Sequence, residues 1–148
     1  MASIPEQIAA RVETLLAGVT AVQGRVYRDR QDAFTREESP AYLVESVDED
    51  TEPLGGGRPG LGDLDQNTFR LAVIAVVRGA DWQQQADALR VQAHALLAVD
   101  APLLALVRNL RRDRCEWKAA SADTPFGYCA QVYAAKYLTR THALDQAA

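Results

Sequence analysis

Cys115, Cys129, His94 and His142 are the side chains of this chain with the chemistry to ligate zinc or to act as nucleophile and base. Their spacing supports neither role. Zinc sites use Cys-x-x-Cys or a close histidine pair, and neither occurs here. His94 falls on the polar side of a helical pattern, and His142 lies in the C-terminal stretch. Cys115 and Cys129 sit near mirror positions about an expected hairpin turn, which reads as a pair of small, half-buried cross-strand thiols. No Gly-x-Ser-x-Gly elbow offers a serine nucleophile. The glycine-rich stretch from Gly55 to Gly62 resembles a phosphate cradle in composition only. No Lys-Ser/Thr follows it, and the next pattern is a strand rather than a helix whose N-terminus would face the phosphate. The acidic run of Glu45, Asp48, Glu49, Asp50 and Glu52 lacks the alternating pattern and distal glutamate of a calcium loop. No catalytic residue, metal or cofactor is therefore expected, and the chain reads as a non-enzyme.

These same residues are better suited to contact with a partner. Asp48, Glu49, Asp50 and Glu52, with Asp63 and Asp65 beside them, read as a solvated loop stem or as a charge-complementary partner surface. Arg108, Arg111 and Arg112, with Arg114, follow an apolar helical turn, where cations are stabilising. They read as a solvated or subunit-pairing cluster rather than a DNA footprint, because no exposed aromatics interleave them. Leu54, Arg58 and Leu61 are the anchors that the glycine-rich stretch could offer to a partner.

The elements that must carry these groups follow from hydrophobic period. Ser3 with Glu6 forms a capping box, and Ile4, Ile8, Val12, Leu15 and Leu16 share one helix face. Residues 25–28 are a short strand. Residues 40–47 and 67–78 are longer ones; in the first, Tyr42 and Val44 alternate with Leu43 and Glu45, which leaves its register open. In the second, Phe69, Leu71, Val73, Ala75 and Val77 make a continuous apolar face. A hairpin needs only about 2–5 residues to turn, so residues 48–66 read as a long, mobile loop. Asp81 can cap a second helix, with Trp82, Ala86, Leu89, Ala93, Leu96 and Leu97 on its stripe, and Pro102 opens a short extension. Residues 114–122 and 126–139 form a closing hairpin that turns near residues 123–127. The whole is α+β: a mostly antiparallel sheet of four to five strands, helices packed on one face, order α-β-β-β-α-β-β. A single domain over 1–140 is followed by a mobile tail, 141–148.

Composition agrees with one self-sufficient domain. The chain has 148 residues, 48% hydrophobic and 24% charged, with a net charge of -4. That charge argues against nucleic-acid binding by bulk electrostatics. No secretory leader and no apolar run of membrane-spanning length are visible, so cytosolic synthesis with reduced thiols is expected.

The order of segments resembles a known family. Ile8-Ala-Ala-Arg-Val-Glu-Thr-Leu-Leu16 followed by Arg25-Val-Tyr-Arg28 resembles the opening of the tail-terminator (tail-completion) proteins of long-tailed bacteriophages. Pro40-Ala-Tyr-Leu-Val44 and Phe69-Arg-Leu-Ala-Val-Ile-Ala-Val-Val-Arg-Gly79 resemble their central strands, and Val132-Tyr-Ala-Ala-Lys-Tyr-Leu-Thr-Arg140 their closing strand. The resemblance covers nearly the whole chain as a pattern, without one diagnostic motif. It implies a ring, usually of six copies, assembled in the host cytoplasm on the head-proximal end of the virion tail. Such a ring stops tail-tube polymerisation and docks the head connector, and DNA passes through its lumen without specific binding; on this resemblance Leu54, Arg58 and Leu61 would contact the tube or the neighbouring subunit, and Asp48, Glu49, Asp50 and Glu52 would face the lumen. It implies no catalytic residue and no cofactor. Neighbouring neck and head–tail adaptor proteins share the pattern. A small cytosolic ligand-binding domain that uses residues 48–65 as a lid is the reading from a different class.

Overall fold

The computed structural model describes residues 2–28, 30, 36–58, 62–120 and 125–148, apart from the side chains at 36, 56–58, 62 and 120. Its elements in chain order are α1 (Ile4–Ala17), β1 (Val26–Arg28), β2 (Ala41–Arg58), β3 (Gly62–Arg78), α2 (Trp82–Leu97), α3 (Ala101–Leu106), β4 (Asn109–Ala120), β5 (Phe126–Arg140) and β6 (Ala143–Ala147). The class is α+β, with a curled sheet of six strands in the order β1-β2-β3-β5-β4, and β6 on β5. The sheet is mixed: β1 runs parallel to β2, and all other pairs are antiparallel.

This departs from the expected four to five strands at the C-terminal end. The stretch 141–148 is not a loose tail. Thr141 donates its backbone N–H to Asp63 O at 2.9 Å, and residues 143–147 pair with the end of β5. Gln7 of α1 also donates its side chain to Asp145 O at 3.0 Å. These are backbone and side-chain bonds that hydrophobic patterning does not reveal. The short extension after Pro102 is a helix of its own, α3, capped by Asp100, whose carboxylate accepts from Leu103 N at 2.9 Å.

The larger correction concerns residues 48–66. Apart from residues 59–61, which lie outside the described residues, they are not a loop but the distal half of a long hairpin, with Asp48 paired to Arg70, Asp50 to Thr68, Glu52 to Gln66 and Arg58 to Gly62. Acidic residues, Pro53 and glycines are poor strand formers taken alone. The facing strand compensates, because Arg70 neutralises two of the carboxylates and β5 extends β3 as far as Leu64.

One face of the sheet is covered by the helices. Tyr42, Val44, Phe69, Leu71, Val73, Val77, Tyr133 and Tyr137 pack there against Ile4, Ile8, Val12 and Leu16 of α1 and Ala86, Leu89, Ala93 and Leu97 of α2. The other face carries a smaller cluster of Leu43, Ala72, Ile74, Val76, Ala130 and Val132, flanked by Tyr27 and Tyr128. α1 forms as its capping box dictates, with Glu6 N donating to Ser3 Oγ at 3.4 Å. Asp81 does not cap α2 with its side chain; its carboxylate accepts instead from Gln85 Nε2 at 2.6 Å. Arg11 of α1 forks onto Asp100 at 2.8 and 2.7 Å, tying α1 to the start of α3, and this holds the Asp100 carboxyl below its ordinary range.

The buried phenols make stability sensitive to alkali. Burial pushes Tyr133 up to about 12 and raises Tyr42 and Tyr137 as well, the last helped by its hydrogen bond to Glu49. An unfolded tyrosine ionises near pH ~10. A raised folded value means that the contribution is complete below that pH and is lost as pH rises through the folded value. The urea midpoint is expected to be level to about pH 10 and to fall steeply toward pH 12, less so in Tyr133→Phe. A midpoint unchanged across that window would contradict the burial.

Candidate functional site

The sheet ends in two edges that no described strand covers. β1 covers β2 only from Tyr42 to Val44, so β2 is open on that side from Glu45 onward among the described residues. At the far side, β4 pairs with β5 alone. Open edges present unpaired backbone donors and acceptors, which makes them the places where a sheet meets another chain.

The acidic candidates lie on the first edge. Alternation sorts them by face: Asp48 and Asp50 stand opposite Arg70 and Thr68, whereas Glu49 stands opposite Phe69 on the helix-covered side. Arg70 donates to Asp48 at 2.8 Å and to Asp50 at 2.9 Å, and lies 3.4 Å from Asp113 of β4. It reaches across β5 because the residue between is Ala134. Asp48 and Asp50 raise the Arg70 guanidinium further above its ordinary value, chiefly through the bond to Asp48. Glu49 accepts from Tyr137 Oη at 2.9 Å. Behind it, Thr51 donates to Asn67, and buried Asn67 donates to Thr139. Asp48, Glu49, Asp50 and Glu52 therefore do not form one uniform acidic wall: two are ion-paired, one is turned to the other face, and Glu52 stays exposed.

The basic candidates lie on and beside the second edge. Arg111 and Arg112 belong to β4, and Arg108 just before it donates its backbone N–H to Lys136 O at 2.7 Å. Among the described residues, Arg108, Arg111 and Arg112 enter no salt bridge, and all three are exposed. The two charge clusters, distant in sequence, line one polar groove of about 650 Å³ with Asp50 and Glu52 on one wall, Arg111 and Arg112 on the other, and Arg70 and Lys136 on its floor. Sequence reasoning missed Arg70 and Asp113. Alternation could have placed Arg70 on the face away from Leu71, but not opposite a bulged carboxylate.

Of the proposed anchors, Leu54 is half exposed on the hairpin. Arg58 lies at the end of β2, with its side chain outside the described residues, and Leu61 lies outside them altogether. Beside the polar groove, an apolar hollow of about 430 Å³ is lined by Leu43, Ala72, Ile74, Tyr128 and Val132, with Glu45, Arg114 and Glu116 at its rim.

The thiols meet as the hairpin reading requires. Cys115 Sγ and Cys129 Sγ are 3.1 Å apart, on diagonal positions of β4 and β5. Both are free, and burial pushes Cys129 up to about 12, so it stays a protonated, unreactive thiol at neutral pH. His94 is not a solvent-facing histidine; its Nδ1 lies 3.0 Å from Tyr133 Oη, and the rings stack with centroids 5.8 Å apart. Among the described residues, no three His, Cys, Asp or Glu side chains are grouped to hold a metal ion. No helix among them is long and apolar enough to cross a membrane. No protein-family model matches the chain, and no curated protein sequence matches it.

Proposed function

We propose that this chain is a tail terminator of a long-tailed bacteriophage, a non-enzymatic protein that closes into a ring at the head-proximal end of the tail tube. The observation that carries the reading is that, among the described residues, two sheet edges of opposite charge are left open, β2 beyond Val44 and β4. A chain that works alone blunts such edges or covers them; one that works in a closed assembly keeps them for its neighbours. The sequence pattern, which resembles that of terminators over nearly the whole chain, supports this place for the assembly. The ring's partners are its own copies, the tail tube protein and the head connector, and DNA passes through without being read.

Native mass measurement and negative-stain imaging test the reading. The purified protein is expected to form rings, or to form them on tube ends. Particles assembled without it are expected to carry overlong tubes. Tubes of normal length that merely lack heads would favour a neck adaptor instead, and a persistent monomer that binds a metabolite would sink the proposal. Removing residues 54–61 is expected to spare folding and weaken assembly. The pair Pro53–Asp65 would then be joined by three residues, a length that hairpins use. Loss of soluble protein in that variant would show that the hairpin tip belongs to the core.

A further inference from the structure

The geometry points to a specific subunit contact: the Asn109–Arg114 part of β4 of one copy adds in antiparallel fashion to β2 of the next beyond Val44, where the pairing with β1 ends, with Arg114 facing Glu45 and Arg111 facing Asp48. This rests on the ring reading above and names the strands that meet in it.

Three observations carry it. The first is direction. β2 is antiparallel to β3, β3 to β5, and β5 to β4, so β2 and β4 of one chain run in opposite senses. Copies set side by side, related by rotation about an axis along the strands, bring β4 against the neighbour's β2 as an antiparallel pair. That is the ladder that short strands form most readily.

The second is height. The pairing register links Glu45 through Ala72 and Val132 to Arg114 in one row across the sheet. The row beside it links Asp48 through Arg70 and Ala134 to Arg111. Continued into a neighbour at the same level, each row sets an arginine opposite a carboxylate on the same sheet face. Cross-strand pairs of opposite charge stabilise a sheet, and like charges directly opposite destabilise it.

The third is the segregation of charge. Between Glu45 and Glu52 the edge carries five carboxylates and no cation, while residues 108–114 carry four arginines and one aspartate. Charges that merely guard an edge against aggregation need no particular sign. Opposite signs on opposite edges attract copies head to tail, and such contacts close into a ring when the rotation permits. Each edge also bends at a bulge, at Val47 in β2 and Asp113 in β4, and these lie in neighbouring rows, so the two bent edges can nest.

A charge swap tests the contact on the full chain. Arg111→Glu with Arg114→Glu makes both edges acidic, and Glu45→Arg with Asp48→Lys makes both basic. Each variant is expected to stay folded by circular dichroism and to associate at least about tenfold more weakly by native mass and sedimentation. An equimolar mixture is expected to restore rings in which the two variants alternate, and all four changes in one chain to restore self-association. Rings that persist in either two-residue variant, or a mixture that stays dissociated, would overturn the contact while leaving the ring reading standing. Wild-type protein that remains monomeric at every concentration, with and without tube ends, would overturn the ring reading and this contact together.

Discussion

Tyr42→Ala is expected to lower the free energy of unfolding by about 3–5 kcal/mol, the range for truncating a buried aromatic side chain. Tyr42 is fully buried, and its hydroxyl donates to Leu89 O at 2.6 Å. The ring joins the first residues of β2 to the middle of α2, so its removal opens a cavity between the sheet and the helix that covers it. Tyr42→Phe keeps the ring and loses only the hydroxyl. It should cost about 1 kcal/mol, the net worth of a single hydrogen bond. Urea unfolding followed by circular dichroism measures both. The gap between the variants is the informative quantity: equal destabilisation would mean that the hydroxyl, not the packed ring, holds α2. Because Tyr42 lies on the helix side of the sheet, Tyr42→Phe is also expected to leave subunit association unchanged at concentrations where the monomer is folded.

Gly127→Ala is expected to destabilise by about 1–3 kcal/mol, the usual cost of overpacking. Gly127 lies within β5, opposite Val77 and Ala119, and is buried. A Cβ at that position would stand 2.4 Å from Trp82 Cε3 and 2.5 Å from Cδ2, closer than any real contact. The indole of Trp82, at the first turn of α2, lies directly on the bare backbone. It must move, or α2 must lift, to admit one methyl group. Trp82→Leu removes the obstructing ring, so Gly127→Ala should cost less in that background than in the wild type. A double-mutant cycle measures the difference, which is expected to exceed the ~0.5 kcal/mol within which independent sites add. Additivity would show that the strain is relieved elsewhere.

These two residues also show where reading the chain as a sequence stops. Tyr42 and Leu43 belong to a run in which both alternating sets contain apolar residues, so period alone does not choose the buried face. The choice comes from the neighbours: Tyr42 pairs with Ala75 and turns to the helices, while Leu43 pairs with Ile74 on the other face. Gly127 stands two residues after Pro125 and reads as part of a turn, yet it serves a close approach by Trp82, a residue 45 positions earlier. The hairpin of β2 and β3 is the clearest case. Five carboxylates and a run of glycines signal a loop because local propensity counts only the strand's own residues. The pairing was decided by Arg70 and by the β5 backbone, which are not local.

Hydrophobic period and capping chemistry by themselves determined the α+β class, the α1 helix with its Ser3–Glu6 box, the apolar face of β3 and the closing hairpin of β4 and β5, because each depends on residues within a few positions of one another. The missing zinc, phosphate and calcium patterns were equally legible, since those are matters of spacing along the chain. Only the tertiary structure decided that Asp48 and Asp50 share Arg70, that the acidic and basic clusters face one another across a single groove, and that each occupies an open edge at the same height. Those relations are set by strand order and by two bulges. A one-residue slip in register would move every one of the charges to the opposite face, and nothing within a strand's own sequence records which neighbour will fix that register.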